Sequence, residues 1–214
     1  MTRHLLFLPG ASGAASFWHP LGALLPQAWR KTYLSWPGLG DEPHVPGLDS
    51  LETMATHAAR HLSPRSALVA QSMGGIVAMR LALQYPERVS HLVLAASSGG
   101  IPLEGFDAAD WRAEYRRDYP RAAEWITRIR PDHAAALPRV AAPVLLLWGD
   151  ADPISPVAVG RRLLSLLPNA RLQVFAGGDH GFARGRADEI APLVRQFIGE
   201  TIAAPAKAGP RLQE

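Results

Sequence analysis

The sequence predicts an α/β fold, in which strands alternate with helices that cover both faces of a mostly parallel sheet. Three observations carry that expectation. Short apolar runs recur between stretches of helical periodicity from one end of the chain to the other. Residues 67–75, ALVAQSMGG, lead an apolar strand directly into a helix across a turn of small residues. The 214 residues, 48% apolar and 19% charged, supply the core of one domain with little room for a second.

The elements follow in order. A first strand is read at 5–8, then a glycine-rich loop and a helix at 17–28. A second strand spans 31–36 and runs into PGLGD at 37–41. Ser50 is placed as the N-cap of a helix over 50–62, because Thr53, Met54, His57, Ala58 and His61 follow at helical spacing. A strand at 65–70 feeds Ser72, and the helix over 72–84 stops near Tyr85 and Pro86. Strands at 91–96, 143–148 and 171–175 follow, with a helix at 156–167 and an amphipathic closing helix at 190–202. Residues 203–214, with their Pro, Gly, Lys and Ala, read as a disordered tail, which leaves 1–202 as a single domain.

Residues 101–140 break the rhythm. They hold no convincing strand, only short helical signals carrying Trp111, Tyr115, Tyr119, Trp125, Ile126 and Ile129. The interval lies between two core strands, so it is an insertion above the carboxyl edge of the sheet, where open α/β sheets bind ligands. It reads either as a lid or as a helical excursion covering one face.

Composition removes several classes of function. The absence of cysteine excludes disulfides, thiolate nucleophiles and thiolate metal sites. The formal charge of +3 is small, and residues 112–117, RAEYRR, mix both signs, so no nucleic-acid partner is expected. No apolar run reaches the length of a membrane span, and no membrane partner is expected. The apolar run at 5–8 is cut by Pro9 and Gly10, too short for a signal peptide, and the expected location is cytoplasmic.

Nucleophilic chemistry must then use oxygen or nitrogen. Ser72 stands at a sharp strand-to-helix turn, flanked two residues away by Ala70 and Gly74. Small residues are required there, because larger side chains would clash with the strand or the helix. The helix that begins at the serine aims free N–H groups at the site. Ser72 is either an activated nucleophile or a plain N-capping serine. A hydroxyl nucleophile needs a base, and the base needs a third group to orient it. Among the 8 histidines, His180 stands apart, in a glycine-rich loop just after the last strand. His57 and His61 share a helix face but lack an H-E-x-x-H pattern. His19, beside Trp18, is a candidate to line a pocket. The orienting acid belongs at another strand end, and Asp150 and Asp152 both qualify.

Together these residues resemble the α/β-hydrolase-fold superfamily, in particular its small, short-lidded serine esterases, over residues 4–200. Residues 9–13, PGASG, resemble the family's His-Gly-x-x-Gly oxyanion loop with Pro9 in place of the histidine, and residues 37–40 resemble its Pro-Gly-x-Gly turn. Residues 70–75, AQSMGG, are similar to the nucleophile elbow with Ala70 in place of a glycine. Residues 149–156, GDADPISP, resemble the segment whose aspartate completes the triad, which selects Asp152 over Asp150; Asp179 is the remaining rival, but its adjacency to His180 points the two side chains apart. The resemblance implies an α/β-hydrolase fold, a mostly parallel sheet with helices on both faces and a short helical lid at about 101–140. Because the first strand is read at 5–8, without the family's usual leading hairpin, a minimal six-stranded sheet is expected. The resemblance also implies Ser72, Asp152 and His180 as catalytic residues, and backbone N–H groups of Ala11 and Met73 as the oxyanion hole, with the N–H or hydroxyl of Ser12 as the alternative to the first of these. Ser12, Trp18 and Trp111 are expected in the substrate pocket.

The expected activity is that of a serine hydrolase acting on a small-molecule carboxylic ester, with no metal and no organic cofactor. A lyase or C–C bond hydrolase using the same triad is the catalytic alternative. A non-catalytic protein that binds a small ligand is the alternative from another class.

Overall fold

The computed structural model of the chain describes residues 3–199. Six strands form one sheet: β1 His4–Leu8, β2 Arg30–Tyr33, β3 Ser66–Gln71, β4 Val89–Ala95, β5 Val144–Gly149 and β6 Ala170–Phe175. Their spatial order is β2-β1-β3-β4-β5-β6. All five pairings are parallel, so the expected mostly parallel sheet is wholly parallel.

The strands alternate between two cores. Leu6, Leu8, Leu68, Ala70, Leu92, Leu94, Leu146 and Trp148 face one side. There they meet α2 Leu51–Ala59, α3 Met73–Gln84 and α6 Val157–Leu166. Leu5, Phe7, Val69, Val93, Leu145 and Leu147 face the other, where α1 His19–Leu24 and α8 Ala187–Gly199 pack. Coverage of both faces explains why the central strands read as unbroken apolar runs.

From β1 the chain passes outward to β2, then returns across β1 to β3. The loops leaving β1 and β3 therefore diverge to opposite faces and open a crevice at their carboxyl ends. Residues 9–13 and Ser72 lie at that point.

Between β4 and β5 run α4 Arg112–Asp118, α5 Trp125–Arg128 and a 3-10 turn at Ala134–Arg139, with no strand. Backbone hydrogen bonds from Ala109 N to Pro153 O and from Ala123 N to Gly38 O, each 2.7 Å, fasten this segment to the loops after β5 and β2.

Several boundaries differ from expectation. The helix expected at 17–28 is a 3-10 turn, Ala15–Trp18, followed by the six residues of α1. Pro26 holds Leu25 extended, at φ −86 and ψ 153, which ends the helix early. The second strand stops at Tyr33 because Trp36 turns inward to brace the loop after β1. A short helix after β6, α7 Phe182–Gly185, had no clear periodic signal. The closing helix begins at Ala187, and its expected last residues and the tail at 203–214 lie outside the described residues.

Candidate active site

Ser72 follows the last residue of β3 with φ 50 and ψ −120, a conformation costly to a residue with a side chain, roughly 1–3 kcal/mol. Its surroundings impose it. Ser72 N donates to Ala95 O at 3.0 Å, and Ser72 O accepts from Gly75 N at 2.9 Å and from Ser97 Oγ at 2.7 Å. A Cβ on Gly74 would lie 2.3 Å from Pro9 O, so glycine there lets α3 begin against the end of β1. Ala70, at the other flank, buries its methyl in the core beside α3.

The hydroxyl leads into a continuous hydrogen-bonded chain. Ser72 Oγ lies 3.0 Å from His180 Nε2, and His180 Nδ1 lies 2.8 Å from Asp152 Oδ2. The Asp152 side chain is fully buried, and its other oxygen accepts from Ile154 N at 2.8 Å and Ser155 N at 3.0 Å. An ionised carboxylate only accepts, so the proton of this pair sits on Nδ1, and Nε2 is left to accept from the serine.

The other two acids of the region have different work. Asp150 Oδ1 accepts from Gly177 N at 2.6 Å, and Asp179 Oδ1 accepts from Gly181 N at 2.9 Å, both on the exposed surface. Each shapes the turn that carries His180. Gly149 also matters here, since a Cβ on it would stand 2.1 Å from Gly178 O where the two loops cross.

On the other side of Ser72, Trp36 Nε1 donates to Pro9 O at 2.7 Å and Trp36 N donates to Gly13 O at 2.8 Å, fixing the loop after β1. These bonds use backbone carbonyls, so proline at position 9 leaves the loop intact. Ala11 N and Met73 N donate to no protein acceptor among the described residues. Met73 is the first residue of α3, where unpaired N–H groups and the helix dipole favour negative charge.

A cavity of about 340 Å³ opens over Ser72 and His180. Phe17, Ile76, Leu103, Trp111, Ile126 and Ile129 give it apolar walls, and Ser12 lies on its edge. Glu114 and Asp118, both exposed and paired with Arg117, also line it, and among the described residues no arginine or lysine does. Trp18, expected in the pocket, is fully buried elsewhere: Nε1 donates to Leu8 O at 3.0 Å, and the ring packs on Phe7. The 3-10 turn sends adjacent side chains in different directions, so Phe17 takes the cavity and Trp18 the core. His19 stacks edge-on against Tyr33, 5.0 Å between ring centres, away from the cavity.

Two residues of the site escaped the sequence reading. Gln71 Nε2 donates to His180 O at 3.1 Å, holding the histidine loop against the strand that delivers the serine. Its place immediately before Ser72 was the only available signal. Tyr115 reaches from α4 to the backbone of Ala11, and its aromatic spacing with Trp111 and Tyr119 gave its helix but not its target. The remaining histidines are spoken for by packing or polar contacts. His57 and His61 stack on one another at 5.4 Å, and no group of three or more His, Cys, Asp or Glu suited to a metal occurs among the described residues.

The sequence profile of the alpha/beta hydrolase family matches residues 5–193. The chain belongs to that family. It is 27% identical to the 2-hydroxy-6-oxononadienedioate/2-hydroxy-6-oxononatrienedioate hydrolase of Paraburkholderia phymatum, over 90% of this chain and 84% of the relative. It is 26% identical to the pimeloyl-[acyl-carrier protein] methyl ester esterase of Neisseria meningitidis, over 85% of this chain and 72% of the relative. A thermophilic esterase from Thermogutta terrifontis shares the fold with a TM-score of 0.76 at 20% identity, covering 93% of this chain and 90% of that one. These relatives are hydrolases, and hydrolase is the activity class of this member. No helix among the described residues is long and apolar enough to cross a membrane.

Proposed function

We propose that this alpha/beta hydrolase family member is a serine hydrolase that cleaves small neutral carboxylic esters through an acyl-enzyme on Ser72. The carrying observation is the hydrogen-bonded chain from Ser72 through His180 to buried Asp152, set beside two unpaired backbone N–H groups. His180 Nε2 takes the hydroxyl proton as Ser72 Oγ attacks the acyl carbon. Ala11 N and Met73 N receive the carbonyl oxygen as it becomes an oxyanion, each donor contributing about 3 kcal/mol. Asp152 stabilises the imidazolium, which then protonates the departing alcohol. Water, deprotonated by His180, releases the acid and restores Ser72. The net reaction is ester plus water to acid plus alcohol. Residues 101–140 serve as the lid of a single domain, roofing the cavity with α4 and α5.

The two curated relatives offer different substrates, a hydroxy-oxo dienedioate or trienedioate and a methyl ester. The cavity favours the ester. A dianionic substrate would place two charges in a mostly apolar lining that holds no arginine or lysine among the described residues, its two acids, Glu114 and Asp118, being exposed and already paired with Arg117. Carbon–carbon bond hydrolysis on the same residues is the second reading, favoured by the higher coverage of that relative.

A fluorophosphonate adduct read by intact-protein mass spectrometry tests the nucleophile. One equivalent is expected on Ser72, with none on Ser72→Ala and little on His180→Ala. A neutral butyrate ester is expected to turn over at least tenfold faster, in kcat/KM, than the matching hemisuccinate. Full esterase activity in Ser72→Ala would end the proposal, and preference for the anionic ester would favour the dioate reading.

A further inference from the structure

The lid helix α4 is joined to the loop after β1 through one phenol. Tyr115 is buried, and its hydroxyl spends both of its hydrogen-bonding capacities on backbone. The O–H donates to Ala11 O at 2.7 Å, and the oxygen accepts from Gly40 N at 2.9 Å. No other hydrogen bond joins residues 101–140 to residues 9–13 among the described residues. The N–H of Ala11 is the proposed oxyanion donor, and its carbonyl is the group that Tyr115 holds. The two groups lie in successive peptide planes that meet at the Ala11 Cα, with Ala11 O coplanar with Ser12 N, so anchoring the carbonyl fixes the plane next to the donor and limits how far the Ala11 N–H can swing.

The same helix face meets the substrate space. Trp111 and Tyr119 stand one turn to either side of Tyr115, with ring centres 5.5 and 5.0 Å from its ring, and all three line the cavity. A molecule lying on those rings presses on the helix whose middle residue anchors the oxyanion loop.

We infer that Tyr115 is a positioning residue for the oxyanion hole, acting through the Ala11 N–H and coupling the seating of the lid to the rate of acyl transfer. This rests on the proposed reading of Ser72 as nucleophile and Ala11 as donor. If Tyr115 only fastened the lid, its loss would slow every substrate alike.

The test compares an ester with its thiono analogue, in which sulfur replaces the carbonyl oxygen. Sulfur is a weak hydrogen-bond acceptor, so the oxo-to-thiono rate ratio reports how well the hole is formed. Tyr115→Phe keeps the ring and removes the hydroxyl. It is expected to lower kcat on the oxo ester roughly tenfold to a hundredfold, less than the full loss of a donor, with KM within about twofold. The oxo-to-thiono ratio should shrink by a similar factor. A ratio equal to that of the unaltered protein overturns the inference, whatever the fall in rate.

Fluorophosphonate titration of both proteins separates this from the nucleophile question. No adduct on the unaltered protein defeats the reading of Ser72 itself. A full adduct with an unchanged ratio defeats only the role of Tyr115. Should Tyr115→Phe not fold, hydrogen exchange on the unaltered protein decides. A small methylphosphonate on Ser72 should then slow exchange in peptides covering 9–13 and 112–119 together, and protection of 9–13 alone overturns the coupling.

Discussion

Asp152 is distinguished from two neighbouring acids by where its oxygens point. One oxygen accepts from the imidazole, the other from two backbone N–H groups, and the side chain is sealed from water. The pattern suits a group that must stay charged, stay still and stabilise a transient imidazolium. Asp150 and Asp179 each hold a turn at the surface instead. Asp152→Asn is therefore expected to lower kcat by about 10⁴-fold, since the amide can impose the wrong imidazole tautomer. Asp150→Asn and Asp179→Asn should stay within roughly tenfold of the unaltered protein. Steady-state kinetics on one neutral ester would compare all three, and equal losses at Asp150 and Asp152 would refute the assignment. Ser72, His180 and Asp152, which the structure joins in one hydrogen-bonded chain, are candidates from sequence because each sits in a short motif at a strand end. Tyr115 and Gln71 could not, because their targets lie far along the chain or depend on the path of another loop.

Among the elements, those whose limits are set locally matched their sequence signals. Ser50 caps α2 as expected, and Thr53 completes a reciprocal capping box with it. β3, β4 and β5 lie within two residues of their expected bounds, because strands buried on both faces leave continuous apolar runs. Elements whose limits are set by tertiary contacts did not match as well. The run 31–36 has the apolar content of a longer strand, yet its end leaves the ladder so that Trp36 can bind the loop after β1 twice. The same change of course supports the site. Trp36→Phe removes the Nε1 donor and leaves Pro9 O without that partner, which should destabilise the fold by about 1–3 kcal/mol. Urea unfolding would measure it. A loss within a few tenths of a kcal/mol would show that the bond does not brace the loop.

For the whole molecule, the two ends of the sheet use histidine in opposite ways. At the carboxyl end, His180 keeps 22% of its side chain exposed and stands between a hydroxyl and a carboxylate. At the amino end, His4 is buried in a polar knot, with Nδ1 2.9 Å from Ser66 Oγ and 2.8 Å from Ser63 Oγ, and Nε2 2.9 Å from Thr32 Oγ1. It ties β1 to both of its neighbours. Burial, aided by the positive charges of Arg30 and His61, lowers its pKa from 6.5 to about 4. Burial also lowers His57 and His133 from the usual histidine value. The folded protein thus refuses protons that the unfolded chain accepts near pH 6.5. Stability from His4 is whole above that pH, falls as the pH drops, and is fully lost below about pH 4, and His57 and His133 add to it in the same direction. His4 alone accounts for a loss on the order of 3 kcal/mol across that window. His4→Asn should begin less stable at pH 7, with part of the knot unmade, yet decline less steeply toward pH 4. Urea denaturation at half-unit pH steps would compare the slopes. A decline as steep as that of the unaltered protein would place the acid sensitivity in the carboxylates, and the knot would then be only a mechanical tie between strands.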